Sequence, residues 1–275
     1  MTDVLGEARR HGAPRLGAAG VEELLALARP AVLLHPDGAA DDPGDPWSRL
    51  GGDPLLEDGD TWPEHRGEPL HFVAQLRLDE VDRSGADLAL PRTGLLAFFY
   101  LPGEELWGYD PADAGAWAVR AVEPSAARPR AAPHGAVRYH PRRLVPAPTA
   151  TVPDRFADAL GPLRARHGDD AVDAVLSRLD ADRPRTRHQA LGWPSEGHDP
   201  MVRALHQVGR GEYAGGGPRR GSTDRPDGWR LLLQVDGDDD AGMVWGDACR
   251  LCFWVRDEHL RAGRWDEAWM LLRCG

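Results

Sequence analysis

The chain has 275 residues, 41% of them hydrophobic and 28% charged, so it can bury a full core in one large domain and is not disordered. Its 44 acidic residues outnumber its 33 basic ones, for a net charge of −11. That balance opposes nucleic acid, whose binding needs a basic face to displace counterions, and it opposes docking on an anionic membrane surface.

The N-terminal stretch MTDVLGEARRHGAP has no apolar run behind its charges, and no window approaches the ~18 consecutive apolar residues of a membrane span. Three cysteines are too few for a secreted disulfide framework, so the expected setting is a reducing, cytoplasmic one.

In chain order, residues 1–18 are polar and rich in Gly and Ala, which predicts a flexible lead before a single domain over 19–275. Residues 21–34 place Leu24, Leu25, Leu27, Ala28 and Val32 near helical spacing, with Pro30 ending the helix. The Gly, Pro and Asp content of 35–47 predicts a loop, and the clustered Gly and Pro of 51–54 and 59–63 predict turns. A strand follows at 70–78, then a tight turn at 91–94, then a second strand at 95–101. That second run is apolar throughout, as suits a strand covered on both faces. Residues 116–122 and 135–141 give weaker strand patterns.

From 152 to 181 the pattern turns helical. Phe156, Ala159, Leu160 and Leu163 suit one helix with Asp154 near its start. Ala171, Val172, Ala174, Val175 and Leu179 suit another, preceded by Asp169 and Asp170. Residues 183–220 predict a long connection, loosest in the Gly- and Arg-rich stretch 209–220. The last module reads as a strand at 229–236, an acidic turn at 237–242 and a strand at 248–255. A short helix at 257–263, N-capped by Asp257 and closed by Gly263, leads to a final strand at 267–273.

FVAQLRLDE at 72–80 is echoed by LLLQVDGDD at 231–239, and each leads to a second strand with adjacent aromatics, Phe98-Phe99 and Phe253-Trp254. The fold class expected is therefore α+β: internally duplicated, mostly antiparallel sheet modules with peripheral helices. The modules span about 48–145 and 229–275, with a helical insert at about 152–181.

Four groups of residues invite a chemical reading. Asp236, Asp238, Asp240 and Asp247 stand at positions one, three, five and twelve of a calcium-loop spacing. Ala241 occupies the position where that loop requires glycine, and the flanks read as strands, so the competing reading is a solvated hairpin turn. Asp247, between apolar strands, is expected as a semi-buried acid that ties down backbone N–H groups. Cys249 and Cys252 lie three apart in a strand, which puts them on opposite faces and ~10 Å apart, so both are expected as buried thiols. Ser195 lies three residues after Gly192, which does not match a G-x-S-x-G elbow. Gln75, His188, Gln189, Trp193 and Gln234 are the candidates for a polar cleft, because a glutamine buried in mid-strand needs partners. No catalytic residue and no cofactor is implied.

The motifs SRLGGDP, DTWP, PLHFVAQLRLDEV, LPRTGLLAFFY, RHQALGWPSEGHDPM, LLLQVD and MVWGDACRLCFWV, in that order, resemble the YwqG-like family of bacterial proteins, a domain family of unknown function. The resemblance covers about 33–275 and implies a mixed α+β fold with a duplication, in a cytosolic protein without known catalytic residues. Some relatives sit beside toxin systems, which implies an immunity or partner-binding role. The chain departs from the pattern at Cys249, where the family usually has glycine, and in its Gly/Arg-rich stretch. The expected function is non-catalytic binding of a protein partner with a basic surface. The alternative is an enzyme or small-ligand binder using a polar cleft between the modules. The sequence fixes no oligomeric state.

Overall fold

Apolar runs broken by Gly- and Pro-rich turns fold, in a computed structural model of the chain, into one large antiparallel sheet flanked by helices. The structure describes residues 4–39, 46–82, 88, 90–103, 106–181, 187–215 and 228–274. Helix α1 (Val4–Ala26) leads into β1 (Arg29–Ala39), β2 (Arg49–Leu50), and the short β3 (Leu55–Glu57), β4 (Glu64–His65) and β5 (Glu68–Pro69). Then come β6 (His71–Arg77), β7 (Leu95–Tyr100), β8 (Trp117–Val122), β9 (Ala127–Pro129) and β10 (Arg142–Thr151). Helices α2 (Gly161–His167) and α3 (Asp169–Ala181) precede β11 (His188–Leu191), α4 (His198–Val208) and β12 (Trp229–Asp236). The chain closes with β13 (Cys249–Arg256), α5 (Asp257–Ala262) and β14 (Trp269–Cys274).

Ten strands form the main sheet, in the order β14-β13-β12-β11-β1-β10-β2-β6-β7-β8, while β3 pairs with β9 and β4 with β5. The sheet curls until its ends meet and is nearly barrel-shaped. Trp117 Nε1 on β8 donates to the Ala268 carbonyl just before β14 at 2.9 Å, and the Trp117 and Trp269 rings lie 4.7 Å apart. Inside the curl, Phe98 of β7 meets Phe253 of β13 at 5.2 Å. Strands from both ends thus share one apolar core.

The strand order reads alike from either end. Four strands (β2, β6, β7, β8) stand beside β10, and four (β11, β12, β13, β14) beside β1. The details repeat as well. The β6–β7 ladder slips between Phe72 and Ala74, and the β12–β13 ladder slips between Leu231 and Leu233, so Val73 and Leu232 are bulged at matching places. Gln75 pairs with Arg49 on β2, and Gln234 pairs with Gln189 on β11. After β2 the chain turns through Gly51 and Gly52 at positive φ, and after the same length of β11 through Leu191 and Gly192, also at positive φ.

Several local expectations are corrected. The lead expected to be flexible is helical from Val4, because Val4, Ala8, Leu16, Val21 and Leu24 are buried, most of them in a separate core with α2 and α3. Low intrinsic propensity, with Pro14 inside and a non-helical kink at Gly17, is overridden by this packing. The helix expected over 21–34 stops at Ala26, and Arg29–Ala39 is instead a central strand. Residues 135–141 are not a strand, whereas β10 is, despite Pro146 and Pro148. Leu144 N donates to Ser48 on the β2 side, and β2 pairs only with Arg142 and Arg143. The prolines follow at the same parity, so their missing N–H groups fall where no strand pairs. The connection expected over 183–220 contains β11 and α4, while 216–227 lie outside the described residues. Asp257 begins α5 as its first residue rather than capping it, and Gly263 closes the helix at φ 66° as expected.

Candidate functional site

The glutamines singled out in the sequence, Gln75, Gln189 and Gln234, are buried and spent on holding loops. Gln234 Nε2 donates to the Arg187 carbonyl at 3.0 Å, and its Oε1 accepts from Ser195 N at 3.0 Å. Gln75 does the same in its own half: Nε2 donates to the Trp47 carbonyl at 2.7 Å, and Oε1 accepts from Leu55 N at 3.4 Å. In both cases the anchored residues stand two before and six after the glutamine's cross-strand partner. Gln189 Nε2 donates to the Leu191 and Trp193 carbonyls at 2.7 and 2.8 Å, and the Arg49 guanidinium reaches the matching Asp53 carbonyl. Trp193 is pinned by its Nε1 to the Leu27 carbonyl (2.8 Å) and lies under the Arg29 guanidinium. Ser195 Oγ accepts from Gln234 Nε2 at 2.6 Å, so its oxygen faces an amide and not an imidazole base.

The acids of the turn divide among separate partners. Buried Asp238 accepts from Arg142 at 2.9 Å and from Ala241 N at 2.8 Å, and stands 3.5 Å from His188 Nε2. Burial opposes its ionisation, yet His188, the Ala241 amide and Arg142 together hold its carboxyl well below the usual carboxylate range. Asp240 pairs with Arg142 from the outside. Asp236 accepts from Arg187 N at 2.8 Å, and burial raises its pKa against the pull of Arg250. Asp247, expected as semi-buried, is exposed, because the turn carrying it swings out ahead of β13. Among the described residues no group of three or more His, Cys, Asp or Glu side chains could hold a metal ion.

Cys252 is a buried free thiol, and burial pushes its pKa up to about 12. Cys249, expected as a second thiol, is instead disulfide-bonded to Cys274. The two are direct cross-strand partners on β13 and β14, a pairing that only the register of the last strand reveals.

Comparing the two ends of the sheet by register exposes what the sequence reading missed. At one end Leu55, Leu56, Leu95 and Val122 are all buried in a single apolar cluster. The positions that match them at the other end are Ser195, Glu196, Arg250 and Arg273. Arg250 pairs with Glu196 at 3.0 Å and with Asp236 at 3.3 Å, and Arg187 pairs with Asp180 at 2.8 Å. Asp180, Arg187, Glu196 and Arg250 line a cleft of about 290 Å³ with Ser195 on one wall and Phe156, 74% exposed, on its rim, while Arg273 lies outside it. Setting Leu55-Leu56 against Ser195-Glu196 on the shared Gln clamp was the sequence signal available for it. The arrangement offers charged and hydrogen-bonding groups without a nucleophile placed against a base.

No helix of the described residues is long and apolar enough to cross a membrane. No match is found among curated proteins. Residues 48–274 match a family model described as "Domain of unknown function (DUF1963)", a span that takes in both Gln-clamped loops and the whole charged cleft, and the chain belongs to that family.

Proposed function

We propose that the chain is a non-catalytic binding protein, an accessory or immunity-type factor, whose contact surface is the charged cleft edged by Phe156. The observation that carries this reading is the replacement of a buried apolar set, Leu55, Leu56 and Leu95, by Ser195, Glu196 and Arg250 on an otherwise matching frame. A charged cleft in place of a dry core lowers the stability available from that end of the sheet, and a recognition role accounts for it. The groups nominated for chemistry, Gln75, His188, Gln189 and Gln234, are buried within the fold, and the three glutamines are occupied by backbone or side-chain partners. A net charge of −11 favours a partner with a basic surface, reached quickly through long-range attraction.

We also read the matching bulges, Gln clamps and loop turns as an internal duplication. Half one is β1 with β2, β6, β7 and β8. Half two is β10 with β11, β12, β13 and β14. Each half's first strand lies in the other half's place beside the central β1–β10 pair. The order of the motifs supports placing the chain with YwqG-like proteins, bacterial and cytoplasmic.

The test is capture from a native lysate on the immobilised chain, run beside Phe156→Asp and Glu196→Arg. A polypeptide retained by the wild type, released by salt and lost by both variants supports the reading. Retention of nothing, or equal retention by all three, rejects it.

A further inference from the structure

A second cleft, of about 750 Å³, opens where the end of β14 meets α4 and the 107–113 loop. Its volume lies in the range of small-molecule sites. Pro200, Ala204 and Gln207 form one stripe of α4 along it, and Trp107 (46% exposed) and Tyr213 (68% exposed) stand at its mouth. The loop is fastened in place, with Leu272 N donating to the Trp107 carbonyl at 2.9 Å and Ala214 N to the Tyr109 carbonyl at 2.8 Å.

Arg273 lines this cleft, and its charge is unanswered. Its Nε is buried without a hydrogen-bond partner, and the guanidinium forms no ion pair among the described residues. Its cross-strand neighbour is Arg250, another cation, whose own carboxylates are Glu196 and Asp236. Like charges opposite each other on a sheet cost stability, and a half-buried cation without a counter-ion costs more. In a chain with eleven surplus negative charges, an arginine so placed calls for an anion from outside. The acids of the cleft do not serve, because Asp113 accepts from Gly108 N at 2.9 Å and Asp110 from Ala112 N at 2.9 Å. Their presence also disfavours a doubly charged phosphate, since the lining of the cleft already carries two carboxyl groups. At the matching position of the other end stands buried Val122, so the frame itself does not require a charge here.

We infer that this cleft binds a small ring-bearing carboxylate, with the carboxylate on Arg273 and the flat ring against Trp107 and Tyr213. Charge-assisted bonds of guanidinium to carboxylate fix the head, and stacking on exposed aromatics holds the body. This site is separate from the Phe156 cleft and stands whether or not a protein binds there.

Titration of the full chain with phenylacetate, its neutral amide phenylacetamide, and phenyl phosphate tests the inference, read by calorimetry and by ligand-observed saturation-transfer NMR. Phenylacetate should bind at millimolar concentration or better, and phenylacetamide about tenfold more weakly or worse, as expected for loss of a charged hydrogen bond. Arg273→Gln should lose phenylacetate binding at a melting temperature no lower than that of the wild type, and Arg273→Lys should keep part of it. If Arg273→Gln fails to fold, Trp107→Ala on the exposed loop should still weaken phenylacetate. The inference fails if the wild type binds none of the three probes, if amide and acid bind equally, or if phenyl phosphate binds more tightly than phenylacetate. It fails too if folded Arg273→Gln, or Trp107→Ala, binds as the wild type does.

Discussion

Replacing Gln234 with leucine tests the clamp that shapes the charged cleft. The substitution keeps the strand and most of the side-chain volume but removes the acceptor of Ser195 N and the donor to the Arg187 carbonyl. Leaving one buried backbone group unpaired costs about 1–3 kcal/mol. Two such groups would cost more, but the Ser195 loop is only half-buried and water can replace part of what is lost, so about 2 kcal/mol is expected. For a chain of this size that lowers the melting temperature by about 4–8 °C. Gln75→Leu should cost less, about 1 kcal/mol, because its bond to Leu55 N is already long at 3.4 Å. Equilibrium urea unfolding followed by tryptophan fluorescence measures both, and amide exchange at Ser195 reads the loop directly. A Gln234→Leu variant within about 0.5 kcal/mol of wild type, with Ser195 still protected, would refute the clamp.

Three further outcomes follow from the packing and the charges. Gly108→Ala should destabilise by more than about 2 kcal/mol in a urea titration, since an added Cβ would collide with the Met270 carbonyl at a positive φ of 81°. Cys274→Ser should cost about 3 kcal/mol under oxidising conditions, for a bridge across 25 residues, and little in reductant; equal melts in both buffers would count against the bridge. Asp238, whose folded pKa is depressed, contributes stability that is complete above the usual carboxylate range and is lost as pH falls through the lower folded value. The stability gap between wild type and Asp238→Asn should therefore narrow on acidification below about pH 4, as followed by urea midpoints across pH.

The strongest apolar strands were legible because their pattern and their structural role coincide: β6, β7, β12 and β13 fall where the runs at 70–78, 95–101, 229–236 and 248–255 put them. The central β1 and β10 were not, because each carries prolines that argue against a strand. They are tolerated only through neighbour relations, such as the short β2, that no local window contains. Helix α4 was hidden behind Gly192, Pro194 and Gly197, although Met201, Val202, Leu205 and Val208 lie at helical spacing and are buried against β12–β14. Gln75 and Gln234 stood out in the sequence as mid-strand glutamines that need partners if buried; they and Gln189 are buried and find partners mainly in backbone. The informative charges, Arg250 and Arg273, were passed over because arginine in a strand edge looks ordinary until the opposite end of the sheet shows Leu95 and Val122 there.

That contrast separates frame from function. Features common to both ends, the bulges at Val73 and Leu232 and the clamps at Gln75 and Gln234, answer to the geometry of a curled sheet and would be needed whatever the protein binds. Features found at one end answer to something else. Arg250 has carboxylates that account for its charge within the fold, and its cost is largely met there. Arg273 has none among the described residues, yet it holds a position that Val122 shows can be filled by a small apolar side chain. A residue that the frame does not require, and whose charge the fold does not answer, is where an external ligand accounts for the most with the fewest assumptions. On this reasoning Arg273→Val should raise stability in the absence of any carboxylate while abolishing its binding. A variant both less stable and still able to bind would place Arg273 in the frame after all.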